Sequence, residues 1–163
     1  MNLPPKAAGQ RPADSREAAL SLSKGRLSPD SDLSNRELIR QFECDVISED
    51  SFYHADHVRL AFAYLCEYSP LQALDKFSAA LKRFAVARGK VWLYHETITH
   101  AYFFLIRERM ARQPVADWEE FSQRNPDLLV WKDGILSRYY QQATLQSDLA
   151  RAVFLLPDKL CGV

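Results

Sequence analysis

The sequence predicts an all-α protein, an antiparallel helical bundle of four main helices plus short C-terminal helices. Three observations carry that expectation. From about residue 34 onward, apolar residues recur at three- and four-residue intervals. Serine, aspartate and proline stand where these stretches begin, and glycine or proline where several end. The connections between the four longest stretches are short, which favours antiparallel neighbours. With 47% apolar and 12% aromatic residues, the 163-residue chain can build one core.

Residues 1–33 are set apart by composition. Pro4, Pro5, Pro12 and Pro29 interrupt any long helix, and Leu20, Leu22 and Leu27 are the main apolar side chains after Leu3. So little apolar surface does not offset the entropy of ordering, and a disordered tail is expected. Residues 19–28 look like translated repetitive DNA of the kind found at bacterial gene starts, which would put the native start downstream. Residues 34–163 then form one helical domain.

In that domain Ser34 and Glu37 have the spacing of a capping box, and Leu38, Ile39, Phe42 and Val46 continue at helical spacing to about residue 47. A polar break, Ser48 to Ser51, precedes a second helix over 52–68. At about 100° per residue, His54 lines up with Val58, Ala61 and Leu65, and His57 with Ala61, Tyr64 and Tyr68. Asp56 falls with Arg59, Ala63 and Glu67 on a face expected to meet water. The third helix starts at Ser69 and Pro70, with Gln72 placed to complete a cap. Its stripe is Leu71, Leu74, Phe77, Leu81, Phe84 and Ala85, it ends at Gly89, and it reads as scaffold.

The fourth helix is expected over 94–112, with Ile98, Tyr102, Leu105, Ile106 and Met110 on its core side. His95 falls near the middle of that face, while Glu96 and His100 share an edge. Pro114 stops it. Asp117 opens a short helix that ends before Pro126, and 128–131 fits a strand or a buried helical turn equally. Asp133 and Ser147 can each cap a further helix. Trp118, Trp131, Tyr139 and Tyr140 are the expected anchors of this last third.

Composition narrows the function. The 21 basic and 21 acidic residues cancel, so no global field draws the chain to nucleic acid, and that partner is disfavoured. Cys44, Cys66 and Cys161 are odd in number and lack CxxC spacing, which suits reduced cysteines. No apolar run reaches the roughly 18 residues of a membrane span. The expected setting is cytoplasmic, without a membrane partner. Only five glycines are present and none are clustered, so no nucleotide cofactor is expected. Oligomeric state is left open.

The four histidines carry the functional reading. They fall as two close pairs, His54 with His57 and His95 with His100, each opening a helix-like stretch. Spacings of three and four put His54 with His57, and Glu96 with His100, on single faces. Facing helices of a bundle build metal sites in this way. The expectation is a metal site of His54, His57, Glu96 and His100, with His95, Thr99, Tyr64 and Tyr102 around it. Histidines with one carboxylate suit zinc or non-haem iron. The second histidine comes one residue late for His-Glu-x-x-His, and neither helix has Glu-x-x-His, so zincin and ferritin-like mechanisms do not carry over. The same cluster supports a metal-free site in which a histidine–Glu96 pair does acid–base work on a small-molecule ligand or substrate. The alternative is a non-catalytic interaction module whose histidines are structural.

Phe52-Tyr-His-Ala-Asp-His-Val-Arg-Leu-Ala, Tyr94-His-Glu-Thr-Ile-Thr, Ser137-Arg-Tyr-Tyr and Leu155-Leu-Pro-Asp resemble a group of small uncharacterised bacterial proteins. The resemblance covers residues 52–160, and its two histidine blocks are its most specific part. It implies a shared site at those blocks and no particular reaction.

Overall fold

The computed structural model describes residues 34–159; the expected tail over 1–33 and Cys161 lie outside them. Seven α-helices and four 3-10 turns, and no strand, form the described residues. The helices are α1 (Asn35–Glu43), α2 (His54–Glu67), α3 (Pro70–Ala87), α4 (Glu96–Arg112), α5 (Trp118–Arg124), α6 (Gln142–Leu145) and α7 (Asp148–Ala152). Of the stretch 128–131, left open between strand and helical turn, Leu128 and Leu129 end a 3-10 turn, Pro126–Leu129, and Val130 and Trp131 follow it as irregular chain.

Helix α2 is the axis of the fold. It packs against α1, α3, α4 and the turn Pro126–Leu129. Five consecutive residues, Leu60, Ala61, Phe62, Ala63 and Tyr64, are buried, so α2 has neighbours on every side rather than one wet face. Burying one side chain such as Phe62 stabilises the fold by about 1.5–3 kcal/mol. This corrects the expectation for Asp56, which is buried, its Oδ2 accepting the Tyr53 N–H at 2.8 Å. An acceptor at this point satisfies a free amide of the first turn, and the carboxylate favours the positive end of the helix dipole.

Several starts and stops follow the sequence signals. Ser34 accepts the Glu37 N–H at 3.2 Å, Asp117 that of Glu120 at 2.9 Å, and Ser147 that of Ala150 at 3.1 Å. Gly89, at φ 64°, follows α3 in the left-handed conformation that favours glycine. Others differ. Helix α1 ends at Glu43, and Asp45 turns the chain at φ 59°, leaving Val46 66% exposed. Ser69 bonds the Gln72 side chain instead of the backbone, and Leu71 is 79% exposed in the first turn of α3.

The C-terminal segment is tied to α4 by one side chain. Thr97, fully buried, donates to the Val153 carbonyl at 2.8 Å and accepts the Leu155 N–H at 3.0 Å. Tyr140 adds a bond to the Leu155 carbonyl, and Asp158 accepts the Gln141 N–H. Gly134 lets the preceding loop close tightly, since a Cβ there would lie 2.5 Å from the Val130 carbonyl and 2.9 Å from the Tyr102 hydroxyl. That closure holds Trp131 beside His54 and Tyr102.

Candidate functional site

A cavity of about 730 Å³ lies between α2, α3 and α4, with residues 92–95 and the α6–α7 region completing its wall. Its inner surface is mostly apolar, from Val58, Ala61, Phe77, Leu81, Ile98 and Ile106. Trp92, Leu93 and Trp131 line it and are also about 60% exposed, so they mark its mouth. The volume is in the range of pockets that enclose small organic molecules.

Three of the four histidines line this cavity, and their hydrogen bonds separate their roles. His95 is the N-cap of α4. Its Nδ1 accepts the Ile98 N–H at 3.3 Å, so its Nε2 carries the proton and donates to the Leu145 carbonyl at 2.8 Å. Both nitrogens are engaged, and burial holds the ring below its ordinary pKa. His54 uses Nε2 to donate to the Leu128 carbonyl at 2.9 Å and packs edge-on against Tyr102. His57 makes no hydrogen bond to the described residues. Its ring lies 4.2 Å from that of Phe52, and burial, helped by His54, pushes its pKa down to about 3. The surface it retains faces the cavity. His57 is half-buried, and its ring thus presents a free donor and a free acceptor to whatever occupies the cavity.

Glu96 and His100 stand elsewhere. The two are 3.3 Å apart, with Lys82 3.0 Å from Glu96 and Ser78 3.2 Å from His100. Burial would raise the Glu96 carboxyl, but Lys82 and His100 hold it below its ordinary range; burial lowers His100 despite Glu96. Neither residue lines the cavity, from which Tyr94 and Thr99 of the same segment form part of the wall. The Tyr94 hydroxyl is buried without a hydrogen-bond partner among the described residues, and burial raises its pKa. Among the described residues, no three histidine, cysteine, aspartate or glutamate side chains are gathered so as to hold a metal ion. The expected four therefore divide into two at the cavity and two behind its wall.

The surrounding residues divide as well. Thr99 and Tyr102 line the cavity, with the Tyr102 hydroxyl pushed up to about 12 by burial and then by Asp127. Tyr64 is buried away from it and donates to Glu43 at 2.8 Å. Sequence reasoning missed Lys82, because α3 read as plain scaffold, and Arg151, which reaches the cavity from α7. It also passed over Val91, Trp92 and Leu93, although three apolar residues in a short connection are a legible sign of an exposed apolar rim. The chain matches no family model, curated protein or solved structure. No helix of the described residues is long and apolar enough to cross a membrane.

Proposed function

We propose that this protein binds a small, largely apolar molecule in the cavity, and that His57 engages a hydrogen-bonding group of that molecule. The observation that carries this reading is His57 itself, a neutral imidazole without a hydrogen-bond partner among the described residues, on a mostly apolar wall. A ligand hydroxyl or carbonyl would satisfy it, and the apolar walls would take the rest of the molecule. The reading places α1 to α4 as an antiparallel four-helix bundle, an arrangement their short connections favour. Glu96 and His100, linked to Lys82 and Ser78, support the wall rather than touch the ligand.

Decanol is a suitable neutral probe, followed by displacement of an uncharged solvatochromic dye. Saturable one-to-one binding is expected in the wild type. His57→Phe keeps a ring of similar size but leaves the ligand hydroxyl unpaired, which weakens binding by about tenfold. Absence of saturable binding of decanol and of its carboxylate analogue alike overturns the reading. So does stoichiometric zinc or iron in protein purified without a histidine tag, lost in both His57→Ala and His100→Ala, since that would restore the four-residue metal site.

A further inference from the structure

We infer that the molecule held in the cavity is a monocarboxylate with an apolar body, its head group received by Arg151 at the mouth. The inference rests on the cavity-binding reading above and adds the class of ligand. Three permanent cations line the cavity, Arg88, Lys90 and Arg151, against one carboxylate, Glu49. Two of the cations are already committed. Arg88 pairs with Asp45 at 2.6 Å, donates to the Ile47 carbonyl at 2.9 Å, and lies over the Phe84 ring. Lys90 pairs with Glu49.

Arg151 differs from both. Its Nη1 donates to the Trp92 carbonyl at 2.6 Å, which orients the guanidinium without neutralising it, and no carboxylate pairs with it among the described residues. The other donors of the fork remain for a partner, and a carboxylate fits that fork with two parallel bonds. One uncompensated cation suits one negative charge, so a carboxylate is favoured over a phosphate dianion. The charge also reaches the inner wall, since Arg151 is among the groups that lower His95. From this head position the body of the ligand runs past Trp92 and Leu93 to the apolar wall of α2 and α4. His57 meets a second polar group where the ligand carries one.

Calorimetric titration of the full chain with decanoate and with decanol, both below their aggregation concentrations, tests this. Decanoate is expected to bind at least tenfold more tightly than decanol. Arg151→Gln, shown to be folded by its circular dichroism spectrum, should erase that preference, and Arg151→Lys should keep about threefold of it. Equal or tighter binding of decanol overturns the inference while leaving the cavity reading intact. A preference that survives in Arg151→Gln overturns it too. If neither probe binds the wild type, both readings fall.

Discussion

His57 shows how one side chain couples the site to stability. Its folded-state pKa of about 3 is below the ordinary 6.5, so between those values the unfolded chain takes up a proton that the folded chain refuses. The stability from its neutral form is complete above about pH 6.5 and is lost as pH falls toward 3. For one histidine the slope is at most about 1.4 kcal/mol per pH unit, a ceiling that solvent reaching the cavity lowers. His57→Phe is therefore expected to flatten the fall in urea midpoint between pH 7 and pH 5. His54, His95 and His100, also lowered by burial, should keep part of the slope. An unchanged slope in the variant would show that His57 titrates normally. His95 is the opposite case, a ring whose nitrogens are both spent on backbone groups. Its wheel position did not reveal this, because a cap lies outside the helix it starts.

At the level of elements, the termini of several helices were legible and their faces less so. Ser34, Asp117 and Ser147 act locally, within three residues, and so a short sequence window contains them. The faces of α2 depend on how many neighbours surround it, which no window contains; hence Asp56 was expected in water and is buried. The split of the histidine set has the same origin. Spacing places Glu96 and His100 on one face, but the neighbours Lys82 and Ser78 come from α3. Thr97 is the element-scale contact most open to test. Thr97→Val keeps the shape and removes the bonds to the Val153 carbonyl and the Leu155 N–H, which water reaches in part, costing about 1–3 kcal/mol in all. Urea unfolding should register that loss, and proteolysis should cut faster near residue 153. Wild-type stability in the variant would mean the C-terminal segment is held by other contacts.

For the molecule as a whole, the all-helical class was readable from periodicity alone, since it needs only the spacing of apolar residues. The cavity was not, because it arises from side chains of α2, α3, α4 and the α6–α7 region that meet only in three dimensions. The distribution of tryptophan around it has an optical consequence. Of the three tryptophans, Trp118 packs on Phe62 and Phe121, while Trp92 and Trp131 stand half-exposed at the mouth. Most of the solvent-sensitive indole emission thus originates beside the cavity. Filling it with decanol should shift the emission of Trp92 and Trp131 to shorter wavelength, a change lost in a Trp92→Phe, Trp131→Phe double variant. If that double variant kept the shift, the signal would belong to Trp118 and the rim would be silent. With the native rim intact, the chain carries its own dye, and loading of the cavity can be followed in real time without a label.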